Sequence, residues 1–116
     1  TRTIGEETEL FARTYLLNKG LTFVSSNFNS KLGEIDLIFK DGRTWIFVEV
    51  KYRKSSSFGG PLSAVSKSKQ QKLKNTAAFY LQQNGINENN TDFRFDVIGL
   101  LGSIDDPEVT WLKSAF

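Results

Sequence analysis

Residues 44–52, Thr-Trp-Ile-Phe-Val-Glu-Val-Lys-Tyr, constrain the fold more than any other stretch of the chain. Their β-branched and aromatic side chains favour a strand. Alternation places 45, 47, 49 and 51 on one face and 46, 48 and 50 on the other. Trp45 and Phe47 make the first face apolar, and Ile46, Val48 and Val50 the second. A strand apolar on both faces has to be covered on both, so it belongs in the middle of a sheet between two layers. With 116 residues in all, one core is expected, a single domain spanning 1–116. Glu49 and Lys51 interrupt the first face, where a charge is costly unless it is paired or binds a metal. A Glu–Lys couple at a frayed strand end is the plain structural alternative.

The remaining elements follow from local signals. Residues 6–19 predict a helix, with Glu6 and Glu7 in its first turn, Lys19 at its end and Gly20 as the stop. A short strand is expected over 21–24, followed by a polar turn region over 25–31. Residues 33–39 read as a strand in which Ile35, Leu37 and Phe39 share one face, while Glu34, Asp36 and Ile38 share the other. Asp41-Gly42 is a hairpin signal leading into the central strand. Residues 54–61 form a Ser/Gly loop, and Pro61 opens a second helix over 62–83, closed by Asn84-Gly85. Residues 87–90 are a polar loop, 93–100 a strand, and 109–112 a last strand. The order α-β-β-β-α-β-β predicts an α/β (α+β) fold, a mixed central sheet flanked by helices.

Composition narrows the chemistry. The chain has no Cys and no His, which removes thiolate zinc sites, imidazole ligands and the Ser-His-Asp triad. Catalysis would have to rest on carboxylates, Lys, Tyr, hydroxyls or a hard metal held by oxygens. In a hairpin turning at Asp41-Gly42, residue 39 pairs roughly with 44 and 37 with 46, leaving Asp36 near Val48 and Glu49. A bulge or a register shift of one residue would set Asp36 beside Glu49 on one face. Two carboxylates in contact repel unless a proton or a cation lies between them. Two carboxylate oxygens from Asp36 and Glu49, with a backbone carbonyl and waters, describe a site for Mg²⁺ or Mn²⁺. Glu9 lies on the helix stripe that carries Ala12 and Leu16, and is either a third functional acid or a half-buried surface residue.

Charge is segregated along the chain. Residues 51–87 contain no acid but seven cations: Lys51, Arg53, Lys54, Lys67, Lys69, Lys72 and Lys74. The rest of the chain carries eight basic and thirteen acidic residues. Such a block suits a phosphate backbone, although a solvated lysine-rich helix face would look the same. Lys69 falls on or beside the stripe of Val65 and Leu73. On that stripe it can lay its stem along the apolar residues with its ammonium in water. Trp45 and Phe47 are read as core and not as base-stacking groups. No apolar run nears the roughly 20 residues of a membrane helix, and no leader-like segment is visible. A cytoplasmic setting and no membrane partner are therefore expected.

Asp36, Glu49-x-Lys51 on the next strand and an upstream helical Glu9 together resemble the active-site signature of the PD-(D/E)XK nuclease superfamily. The chain is more specifically similar to the YraN-like family of small bacterial proteins, which resemble Holliday-junction resolvases. The matching stretches are GEIDLI (33–38), FVEVKYR (47–53), FGGPLSAV (58–65), Lys69, RFDVIG (94–99) and Phe116. Ile35 stands where the superfamily has Pro, and Thr8 where the family has Gly before its helical Glu. The resemblance implies a restriction-endonuclease-like core and a Mg²⁺- or Mn²⁺-dependent phosphodiesterase acting on nucleic acid, with DNA, including branched DNA, the expected substrate. It implies Glu9, Asp36, Glu49 and Lys51 as catalytic residues, with Asp36, Glu49 and the Val50 carbonyl at the metal. It implies Arg53, Lys54, Lys67, Lys69, Gln70, Lys72 and Lys74 along the phosphate backbone, and a homodimer by analogy. A non-catalytic nucleic-acid-binding module on the same fold is the alternative, and a partner-binding scaffold a third.

Overall fold

The computed structural model describes residues 1–55 and 65–116. Helix α1 runs Ile4–Asn18, strands β1 Thr22–Ser30, β2 Gly33–Asp41 and β3 Thr44–Arg53, helix α2 Lys67–Gln83, and strands β4 Phe93–Leu101 and β5 Glu108–Leu112. A 3-10 turn at Glu88–Asn90 precedes β4. The five strands form one sheet in the order β1-β2-β3-β4-β5, antiparallel except for the parallel β3–β4 pair. This is the restriction-endonuclease-like arrangement, α-β-β-β-α-β-β.

β3 lies at the centre, covered on both faces. On one face Ile46 and Val48 pack with Leu37, Phe39, Ile98 and Leu100 under Ala12 and Leu16 of α1. On the other Phe47 packs with Ile38, Phe95 and α2 residues Leu73, Ala77, Tyr80 and Leu81. Trp45 joins this second core, 5.9 Å from Tyr80, so the central aromatics are structural as expected. Fully burying each Leu or Phe is worth roughly 1.5–3 kcal/mol, so two such layers hold the sheet.

Four boundaries differ from the sequence reading. α1 begins two residues early because Thr3 and Glu6 form a reciprocal capping box, at 3.1 and 3.2 Å. α2 begins at Lys67, where the Ser66 side chain accepts from the Lys69 N–H, and not near Pro61. Pro61 and the rest of the expected start, with most of the Ser/Gly loop, lie at 56–64, outside the described residues. The polar stretch 25–30 is strand: it forms the edge of the sheet, where alternate residues face water and need no apolar side chains. Finally, the hairpin turns on Gly42-Arg43, with Asp41 paired to Thr44. Gly42 takes φ 60°, the positive value wanted at the first position of a II′ turn.

Candidate active site

The turn position sets the register. With Asp41 opposite Thr44, the ladder runs regularly to Leu37 opposite Val48, two residues offset from the pairing inferred from Asp41-Gly42. The next pair in this register would be Asp36 and Glu49, and there the ladder stops. The Val50 N–H donates instead to the Asp36 carboxylate, 2.8 Å from Oδ2. β1 is irregular at the same point. Asn27, flanked by the Ser26–Leu37 and Phe28–Ile35 pairs, has φ 53°, a left-handed conformation that Asn tolerates. Past this break Ile35 packs with Ile38 and Phe47 on the α2 side, not with Leu37 and Phe39 as strict alternation requires.

The break brings acids together. Glu49 is 4% exposed, and its carboxyl meets that of Asp36. Burial, then the hydrogen bond to Glu49 and its charge, push the Asp36 carboxyl from 3.8 up to about 8, against the pull of the Val50 N–H. Lys69 supplies the counter-charge from α2, its ammonium 2.6 Å from Glu49 Oε2. That contact holds the ammonium above its usual pKa; partial burial opposes it, and the charges of Glu49, Asp36 and Glu34 assist. Apart from this ion pair, Oε2 has no polar partner among the described residues. Lysine 69 is therefore a half-exposed side chain reaching into the site, neither a stripe residue nor a free surface cation.

Asp36 and Val50 also line a cavity of about 410 Å³ between β2 and the start of α1, together with Thr8, Glu9, Asn27 and Glu34. Glu9 is half-buried on its wall and accepts from Asn27 Nδ2 at 3.3 Å. Glu6 and Glu9 both line the cavity with Asp36; Glu6 is occupied in the capping box and Glu7 lies 3.8 Å from Arg2, so Glu9 is the lining acid of α1 not tied into the helix cap. Among the described residues no three acidic side chains stand close enough to hold one ion together. The cavity is thus lined by the carboxylates of Glu6, Glu9, Glu34 and Asp36, and Asp36 also meets Glu49, which lies outside its lining.

The other expected site residues are spread out. Lys51 is half-buried on β3, on the same strand face as Glu49, with no ion pair among the described residues. Arg53 is exposed and folds back, donating from Nη1 to the Tyr52 carbonyl. Lys54 borders a separate small cavity with Tyr52 and Gly102. Lys67, Lys72 and Lys74 are exposed on α2, Lys74 with its ammonium 5.9 Å from the Phe116 ring. Gln70 donates from Nε2 to the Val65 carbonyl at 3.1 Å, which ties the helix start. Sequence reasoning did not single out Asn27, whose signal was only an Asn inside a polar run.

These features coincide with a family pattern. Residues 8–100, which include Glu9, Asp36, Glu49, Lys51 and Lys69, match the model of the uncharacterised protein family UPF0102. The chain belongs to the UPF0102 family. It is 57% identical over 112 residues to a UPF0102 protein of Colwellia psychrerythraea, covering 97% of this chain and 87% of the relative. It is 45% identical over its whole length to the UPF0102 protein YraN of Escherichia coli, of which it covers 86%. To a UPF0102 protein of Aliivibrio salmonicida it is 46% identical over 111 residues. Membership accords with the nuclease-like fold. Among the described residues no helix is long and apolar enough to cross a membrane.

Proposed function

We propose that this UPF0102 protein is a metal-dependent nuclease hydrolysing phosphodiester bonds in nucleic acid, DNA first. The observation that carries the reading is the Asp36–Glu49 contact at the break in the β2–β3 ladder. A buried carboxylate, Glu49, in contact with the half-buried Asp36, which is thereby driven to hold a proton, is a costly arrangement for a purely structural role. A divalent ion in place of that proton would relieve it.

The donor set fits a hard ion. All available ligands are oxygens, the chain having neither His nor Cys, and Glu49 Oε2 lacks any polar partner but Lys69. Mg²⁺ commonly takes one or two carboxylates and completes its shell with water and substrate phosphate, so a third acid in direct contact is not required. Asp36 and Glu49 would hold the ion, with the Val50 carbonyl beside them. When bound, Mg²⁺ or Mn²⁺ supplies Lewis-acid polarisation of the phosphate and a water acidic enough to attack it. Glu9, which lines the same cavity, would serve as a general base. Lys51 would place its ammonium where charge develops on the phosphate. Arg53, Lys54 and the lysines of α2 would hold the strand by its backbone without reading sequence. A binding module without catalysis remains the second reading, favoured by the absence of a three-acid cluster among the described residues.

The test is cleavage of labelled single-stranded, duplex, flapped and four-way DNA and of RNA, with Mg²⁺ and Mn²⁺, beside Asp36→Ala and Lys51→Ala. Cutting by the wild type that both variants lose establishes the nuclease and its substrate class. Binding without cutting under either metal leaves the second reading. A metal-induced rise in melting temperature that Asp36→Asn abolishes would locate the ion independently of turnover. The mass of the complex with four-way DNA would show whether two chains act together.

A further inference from the structure

A second concave surface lies on α2, away from the carboxylates. It is a groove of about 700 Å³ between α2, the β1–β2 turn and the 3-10 turn before β4. Its apolar wall is Leu32, Phe79 and Ile86, with Leu32 46% and Phe79 39% exposed. The lining also includes Asn75, Gln82 and Asn89, which carry side-chain amides. Those of Gln82 and Asn89 have no hydrogen-bond partner among the described residues, and Asn75 has its Oδ1 taken by Gln71 but its NH₂ free. Glu88 is the sole charge in the lining.

The helix connects this groove to the acids. Residues 69, 72, 76 and 79 recur every three or four positions and share one side of α2, and Asn75 and Gln82 lie further round the helix. Lys69 holds Glu49; Lys72 and Thr76 lie against Gly33; Phe79 lies 6.3 Å from Phe28; and Gln82 is at the far end. α2 contains no acid, and its four lysines all lie in its first half. The track is therefore cationic beside the carboxylates and becomes aromatic and amide-lined after about 15 Å, ten residues of helix rise. Cations followed by an apolar plate with free amides match the alternation of phosphate and base in one strand. Phosphates would lie along Lys69 and Lys72, and a base, an uncharged plane with hydrogen-bonding edges, would lie on Phe79.

We propose that this groove binds an unpaired nucleobase a few nucleotides from the bond held at Asp36 and Glu49, so that the preferred substrate carries single-stranded character there. The inference rests on the reading of that site as one that holds nucleic acid. A base inside a duplex cannot present its face to Phe79, whereas an unstacked one can.

The test is fluorescence anisotropy in the Asp36→Asn background with EDTA, so that nothing is cut. The probes are labelled single-stranded DNA and RNA oligonucleotides and a blunt hairpin duplex. Phe79→Ala, Gln82→Ala and Leu32→Glu are compared with the parent; the last two alter exposed side chains and spare the core should Phe79→Ala fold poorly. Loss of single-strand affinity by about ten-fold or more, with hairpin binding changed less than two-fold, is expected. Unchanged single-strand affinity, or equal loss on both probes, overturns the groove proposal and leaves the nuclease reading intact. A parent that binds no nucleic acid overturns both. A parent that binds selectively while the wild type cuts nothing leaves the groove and removes the nuclease. A parent dimer that Leu32→Glu dissociates would assign the groove to a second copy of the chain and overturn the base.

Discussion

Asp36→Asn gives the most direct measure of the carboxylate pair, because it can be read without metal, substrate or turnover. The folded state holds a proton on Asp36 up to about pH 8, whereas the unfolded chain releases it near 3.8. Between those values the native state binds the extra proton, so stability falls as pH rises. The contribution is fully present below about pH 4 and is lost as pH approaches 8. One proton corresponds to about 1.4 kcal/mol per pH unit, hence on the order of 3 kcal/mol between pH 5 and pH 7. Absence of histidine makes this window clean, since no side chain of ordinary pKa changes charge within it. Asn at 36 mimics the protonated acid, accepting from the Val50 N–H with its oxygen and donating to Glu49 with its amide. Urea denaturation in EDTA at pH 5, 6 and 7 should show the slope in the wild type and a flat, higher stability at pH 7 in the variant. A wild type whose stability is level across that window, or a variant that keeps the slope, would refute the pairing.

Three further perturbations test separate parts of the structure. Lys69→Met leaves Glu49, 4% exposed, without its counter-ion; because Lys69 itself is 46% exposed, the expected loss is about 1–2 kcal/mol and not the larger value of a buried pair, read by urea denaturation at pH 7 and reduced in high salt. Gly33→Ala places a Cβ 2.9 Å from Thr76 Oγ1 on a backbone at φ 151°, so a loss of roughly 2 kcal/mol or more is expected, and Thr76→Ala should restore only the steric part. Asp96→Ala removes a fully buried carboxylate that accepts from Arg94, Trp111 Nε1 and the Ser114 N–H; a loss of about 3–5 kcal/mol should come with a change in Trp111 fluorescence, and an unchanged melting temperature would contradict the network.

The comparison of sequence with structure turns on range of interaction. The central strand was legible because a run apolar on both faces has one stable setting, the middle of a covered sheet. Element types followed from periodicity and punctuation for the same local reason. Failures occurred where a local signal had a close competitor. Asp41-Gly42 was a turn signal satisfied one residue later by Gly42-Arg43, and Pro61 was a helix opener where Ser66 does the capping. The polar edge strand gave no apolar alternation to read, because one of its faces needs none.

The sequence by itself determined the sheet's centre, the exclusion of thiol and imidazole chemistry, and the acid-free stretch that carries the lysines, since each follows from residue type and spacing along the chain. Tertiary structure alone decided that Asp36 meets Glu49, because a two-residue change in hairpin register and a break in the ladder set that contact. It also decided that Lys69, twenty residues beyond Glu49, and not the adjacent Lys51, supplies the counter-charge. Side chains at i and i+2 of a strand stand about 7 Å apart on the pleat. A lysine from a helix packed over that face can reach the carboxylate end-on, and no pattern within either segment encodes that distance.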